Sequence, residues 1–440
     1  MSARPLVALL LGAALLAPTG AVRGQDLSPT EREIVDAVDA RADEALAFLE
    51  AVVNVNSGTM NFEGVREVGG MFAGRLEEIG FVTRWVEMPD SVNRAGHLFA
   101  TREGPPGAPV FLLIGHLDTV FEPGDAFQTF ERDGERATGP GVVDMKGGDV
   151  AIVLALQALH EAGALADATV TVALIGDEES AGLPLSVARG ELIEAAKAAD
   201  VALGFEGGDP GSAVIARRAS SAWTLEVTGR QGHSSRVFSE TYGSGAIFEA
   251  ARILHRFHEE VKGPEHLTFN PGVILGGTEV TYDGAENRGT AFGKTNVIAQ
   301  KVVVDGGLRF ISEEQKIEAR EAMRAIVSEH LPGTSAEIEF LDKYPPMPPT
   351  EGNRALLEIL DQTSEDLGIG PVEPYDPSAR GAADISFVAP HVDGLDGLGV
   401  WGSGSHTPDE AIDLTSLPVV AKRAAVLIHR LTRELPAEVR

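Results

Sequence analysis

Apolar positions along this chain keep two rhythms, and the places where one gives way to the other outline its organisation. From Ser28 to about Val53 they recur at helical spacing, opened by Ser28-Pro29-Thr30-Glu31, an N-cap followed by proline in the first turn. Residues 65–79 repeat the helical pattern and stop at Gly80. Short runs at 81–86, 97–101, the first half of 110–120, 168–175 and 201–205 read as strands. The run from Val110 is apolar without a break, as in strands covered on both faces, 168–175 is largely apolar and rich in β-branched residues, and 201–205 reads as a further short buried strand. Helical spacing returns at 145–162 and 192–197, so the elements alternate and predict an α/β fold with a mostly parallel sheet.

Near Ala216 the pattern changes. Residues 222–228 alternate like a half-exposed strand, and 266–275, 294–304 and 308–311 also read as strands. Helical spacing covers 244–261 and 312–330, giving a compact α+β unit whose sheet has one covered face. Pro345-Pro346-Met347-Pro348-Pro349 then makes a rigid extended connector. The first pattern resumes, with helices at 353–367 and 417–435 around a strand at 397–401. These patterns predict one discontinuous domain, residues 26–215 and 342–440, with a smaller domain inserted over 216–341.

The first residues add an export signal. Arg4 supplies the positive start, 5–17 is an apolar run short for a bilayer, and small residues follow to Gly24. Cleavage near Gln25 would remove residues 1–25 and place the mature chain in the periplasm or outside the cell, free of the membrane. Acidic residues outnumber basic ones 66 to 36, for a formal charge of −30, which argues against nucleic-acid or anionic-membrane partners. The chain has no cysteine, so thiol catalysis, disulfides and thiolate ligation are excluded. Any metal must be held by His, Asp and Glu, a donor set that suits zinc, manganese or cobalt.

Those residues gather where apolar elements end. The Val110 run delivers His116 and Asp118, two residues apart and so on one side of a strand, where a carboxylate can fix an imidazole tautomer. Gly139-Pro140-Gly141-Val142-Val143-Asp144 is a glycine-rich turn into a helix, without the Gly-Lys-Ser/Thr ending of a phosphate loop. Asp177-Glu178-Glu179 follows one apolar strand and Glu206 ends another, while His406 sits in Gly402-Ser403-Gly404-Ser405-His406-Thr407. Adjacent carboxylates at a buried sheet end need a cation or a raised pKa. Carboxyl ends of strands are where open α/β sheets place ligands, and two histidines with several carboxylates are the donor set of a two-metal hydrolytic centre.

In order and spacing, His116-Leu117-Asp118, the Gly139–Gly148 turn, Asp177-Glu178-Glu179, Glu206 and His406 resemble the signature of the glutamate carboxypeptidase/aminoacylase family of co-catalytic zinc peptidases. The resemblance spans nearly all of the mature chain. It implies two zinc ions per subunit, with manganese or cobalt as alternatives, bridged by Asp144. His116 and Glu206 would complete one metal, Glu179 and His406 the other. Asp118 would orient His116, and Glu178 would be the general base for a hydroxide bridging the metals. The inserted domain would be a lid and the contact of a homodimer. In it, His233 of Gly229-Arg230-Gln231-Gly232-His233-Ser234-Ser235 would stabilise the oxyanion, in its own subunit or across the dimer. Asn296 and Arg309 would hold the substrate's carboxylate. Gly381 would belong to the substrate loop, with Asp384 capping the next helix.

The expected activity is a zinc carboxypeptidase releasing a C-terminal amino acid, an acidic one among the candidates, from small peptides or N-acyl amino acids. An N-acyl-amino-acid deacylase of the same family is the alternative, and a non-catalytic peptide-binding protein a remote one. The chain departs from the family pattern at Ala299, where proline is common, at Gly307, where aspartate is, and at Ala382-Ala383, where Gly and Thr are. The turn over 277–293 is long, which would reshape the cleft mouth.

Overall fold

The computed structural model describes residues 27–284 and 286–439, so the expected export signal over 1–25 lies outside the described residues. At its centre is a six-stranded sheet. In spatial order its strands are Val82–Val86, His97–Arg102, Thr169–Ile175, Val110–His116, Val201–Gly204 and Gly394–Leu395. The last four run parallel, while the first two add an antiparallel edge. From the central Val110–His116 strand the chain crosses first to one neighbour, Thr169–Ile175, then to the other, Val201–Gly204. That reversal opens a crevice at the carboxyl ends of the strands.

Pro29–Val53, Lys146–Glu161 and Ser416–Arg433 pack together on one face of the sheet, in one core with Phe62–Glu77 and Glu351–Asp366. Pro29–Val53 starts as its sequence predicts: Ser28 accepts from the Glu31 N–H while the Glu31 side chain accepts from the Ser28 N–H. Lys146–Glu161 has almost every side chain buried, because it lies between the sheet and the helices Pro29–Val53 and Ser416–Arg433. An all-round apolar helix is stable in water only when covered in this way. Among the described residues no helix is long and apolar enough to cross a membrane.

The segment after Ala216 builds a four-stranded antiparallel sheet ordered Thr268–Gly277, Lys301–Arg309, Ser221–Gly229, Thr334–Asp342. Helices Ala246–Arg256 and Glu313–Ser328 cover one face over a core around Trp223, Phe257 and Met323. Several details differ from the expectation. Residues 294–300, Asn296 included, form a turn rather than the start of a strand, and the two strands expected at 294–304 and 308–311 are one, Lys301–Arg309. The fourth strand is instead Thr334–Asp342, in which Ala336, Ile338 and Phe340 face inward and alternate with outward Glu337 and Glu339. The long turn over 277–293 folds into the hairpin Glu279–Asp283/Arg288–Phe292, which lies on the sheet so closely that a Cβ at Gly289 would strike Leu275. None of its described residues lines the cleft described below.

Residues 397–401 are not a strand. Gly397 has φ +69°, and the segment runs irregularly beside the Glu206 loop, with Leu398 N–H donating to Gly204 and Gly399 N–H to Glu206. His406 reaches the crevice by another route. Gly402–Ser403 pairs with Ala411–Asp413, which pairs with Arg136–Thr138, so a small antiparallel sheet seats the His406 loop beside the Gly139–Asp144 loop.

Candidate metal centre

The five expected metal ligands arrive at the crevice from five different elements, and the expected base Glu178 comes beside one of them. His116 is the last residue of its strand, Glu178 and Glu179 follow the Thr169–Ile175 strand, and Glu206 follows Val201–Gly204. Asp144 comes from the turn before the Lys146–Glu161 helix, where Gly141 has φ +81° and a Cβ would strike Thr119. His406 is itself held at φ +64°, an uncommon conformation for a bulky residue, of a kind that collects at functional sites.

Asp144 stands between the two histidines. Its Oδ1 lies 3.2 Å from His116 Nε2 and its Oδ2 3.2 Å from His406 Nε2. Glu179 Oε2 is 3.0 Å from His406 Nε2, and Glu206 Oε1 is 3.8 Å from His116 Nε2. Donor atoms of His116, Asp144 and Glu179 all lie within 4.8 Å of one another.

Burial, reinforced by neighbouring carboxylates, holds the Glu178 carboxyl well above its usual range and pushes Glu206 up to about 8; burial also raises Glu179 against its hydrogen bond to His406. The hydrogen bonds that Asp144 and Glu179 accept from its ring raise His406 to about 10. Glu179 Oε1 is buried without a hydrogen-bond partner. Such a set of acids and imidazoles fits a pair of divalent cations, which would neutralise the acids and take up the spare oxygen.

Asp118 does more than orient His116. The ring Nδ1 lies 3.0 Å from the Asp118 main-chain oxygen and 3.5 Å from Oδ1, so the main chain is the better acceptor. The Asp118 carboxylate instead accepts from Thr59 Oγ1 at 2.6 Å, from Glu178 N–H at 3.0 Å and from Glu179 N–H at 3.2 Å. It therefore fixes the backbone carrying both glutamates. Tyr344 donates to the Glu178 main-chain oxygen at 2.9 Å from the chain leaving the inserted segment.

A cleft of about 330 Å³ opens over these groups, lined by Asp144, Glu178, Glu179, Glu206 and His406 together with Gly381. Arg217 and Arg380, which the sequence reading missed, also line it. Arg217 pairs with Asp396 at 2.7 Å and donates to the Gly381 carbonyl at 2.8 Å, holding the loop from behind. The expected cap at Asp384 is absent: its carboxylate turns inward to Arg189 at 2.6 Å, because a buried guanidinium is the stronger partner. His233, Asn296 and Arg309 are not part of the cleft lining. His233 is exposed and bonded to Ser235, while the Asn296 carbonyl accepts from Ser234, so those two segments adjoin on the inserted unit. Arg309 is exposed near Arg218 and is in no ion pair among the described residues.

With this geometry in hand, comparison with known proteins identifies the family. The model of peptidase family M20/M25/M40 matches residues 112–430, which contain the whole constellation. The chain belongs to that family. Carboxypeptidase G2 of Pseudomonas sp. (strain RS-16) is 25% identical over 434 residues, covering 97% of this chain and 98% of that protein. A succinyl-diaminopimelate desuccinylase of Xylella fastidiosa (strain 9a5c) is 26% identical over 395 residues, covering 82% of this chain and 92% of that enzyme. Among solved structures, aminopeptidase PepT from Bacillus cereus ATCC 10987 superposes with a TM-score of 0.68 at 20% identity, covering 89% of this chain and 98% of that one. The chain is therefore an M20 family metallopeptidase, with the family's fold and its dependence on metal.

Proposed function

We propose that this metallopeptidase is a dinuclear zinc carboxypeptidase that removes a C-terminal amino acid, an acidic one among the candidates, from short peptides or N-acyl amino acids. The observation that carries this reading is the Asp144 carboxylate, one oxygen facing His116 and the other His406 at equal distance. His116 and Glu206 would hold one zinc, Glu179 and His406 the other, and Asp144 would serve both. When bound, the cations would polarise the scissile carbonyl and make a water acidic enough to attack at neutral pH. Glu178, buried beside them, takes the proton of the attacking water and returns it to the leaving nitrogen. His233 would stabilise the oxyanion, and Asn296 with Arg309 would hold the terminal carboxylate, brought to the cleft by movement of the inserted unit or from a second copy.

The test is a panel pairing peptide and N-acetyl acyl groups with Glu, Ala, Leu and Lys leaving groups, before and after chelation. Chelator-sensitive release of one C-terminal amino acid from the peptides is expected. Release from the N-acetyl compounds alone would favour a deacylase, the reading that the desuccinylase relatives keep in view. No hydrolysis of either would overturn both.

A homodimer is part of the proposal. Phe238, Ile247, Phe248 and Ile274 are more than half exposed on the inserted unit, beside the edge strand Thr268–Gly277. Phe238 and Phe248 stack with ring centroids 5.5 Å apart. An unpaired edge and an apolar patch together suit isologous pairing with a second copy. Sedimentation velocity should show a dimer that Phe248→Glu dissociates; a wild-type monomer at all concentrations would overturn it.

A further inference from the structure

Glu410 belongs to no motif discussed so far, yet it touches the loop that carries Asp144 at three points. It is 1% exposed, and its Oε1 accepts from Val143 N–H at 2.8 Å and from Asp144 N–H at 3.0 Å. Its Oε2 accepts from Gly141 N–H at 3.1 Å. Converging backbone amides of this kind form a nest for an anion. No Lys or Arg among the described residues pairs with it, since Lys146, the buried cation nearby, donates to the carbonyls of Val52 and Val55. The carboxylate is thus given over to the loop.

The same residue is tied to His406. Glu410 N–H donates to Thr407, its carbonyl accepts from Gly139 N–H, and the next residue, Ala411, pairs with Thr138. Its backbone therefore belongs to the His406 loop and its side chain to the Asp144 loop. A shift of either would change the spacing between the histidines across which Asp144 lies.

Resting on the dinuclear reading above, we propose that Glu410 is a positioning residue that clamps the Asp144 loop to the His406 loop, so that both metal sites are assembled as one unit. The clamp needs a carboxylate. A glutamine can accept through one end only, and its amide would confront the Gly141 N–H with a second donor. Removing the side chain leaves the three amides without a partner, and the loop must rearrange to reach water.

Co2+ titration of the metal-free protein tests the clamp, with Glu410→Gln and Glu410→Ala beside wild type. Wild type should take up two Co2+. Both variants should bind about tenfold to a hundredfold more weakly, the range found when groups supporting metal ligands are removed. Their d–d spectra should change, and kcat should fall with KM nearly constant. Two Co2+ bound with wild-type affinity and spectrum by Glu410→Gln would overturn the clamp, even if melting temperature falls, because a merely structural glutamate would behave that way. Should Glu410→Ala fail to fold, Glu410→Gln alone decides. Fewer than two Co2+ on wild type would overturn the dinuclear reading and the clamp with it.

Discussion

Glu178→Gln is expected to lower kcat by about a thousandfold or more while metal content stays unchanged, within the range for loss of a general base. The substitution keeps the side chain's shape and removes its ability to carry a proton. The Glu178 backbone should hold its place, because its N–H donates to Asp118 and its carbonyl accepts from Tyr344. Asp144, Glu179, Glu206, His116 and His406 would still hold the metals. Activity on the peptide panel and metal content by elemental analysis check both halves of the expectation. Retained turnover would remove Glu178 from the proton transfer. Loss of turnover together with one metal would make it a ligand instead, and ligation and proton transfer are roles one carboxylate cannot fill together.

Why this residue was legible in advance is a matter of chain chemistry. A strand buried on both faces should remain apolar to its end, so His116 after Ile114-Gly115 and the acids after Ile175 stand out against their own background. Each exception lay at a carboxyl end, so the sheet alone gathered them. Glu410 offered less. It lies four residues after His406, but a carboxylate bound only to backbone amides imposes no partner residue type, and the pairing spans the distance from Gly141. Asp384 does head its helix but does not cap it, and the sequence offers only the local cap while the true partner, Arg189, lies 195 residues away. Strand errors have the same origin. The apolar run through Val400 promised a strand, but Gly397 in the left-handed region turns the backbone out of register, and the Glu206 loop takes up its hydrogen bonds.

Arg189→Met should destabilise the protein by about 3–5 kcal/mol, the cost of leaving buried charge without its partner. Arg189 is fully buried, with Nη1 2.5 Å from Asp177 Oδ1 and Nε 2.6 Å from Asp384 Oδ1, and its guanidinium lies over the Phe387 ring. Methionine would fill most of the volume but supply no charge, stranding both carboxylates. Burial already raises the Asp384 carboxyl against the pull of Arg189, and without the arginine it rises further. A carboxyl whose folded pKa lies above its unfolded value binds more protons when folded. Its stability contribution is present below the unfolded value, near pH 4, and is lost as pH climbs towards the folded one. The deficit of the variant should therefore be smaller at pH 5 than at pH 8 in urea unfolding followed by circular dichroism. A deficit under about 1 kcal/mol, the usual worth of an exposed pair, or one that does not change with pH, would contradict a buried and charged triad. The consequence reaches the active site by two routes. Asp177 immediately precedes Glu178, and Asp384 ends the loop begun by Gly381, so the ion triad that supports the fold also lies directly behind two parts of the cleft lining, Glu178 and the Gly381 loop.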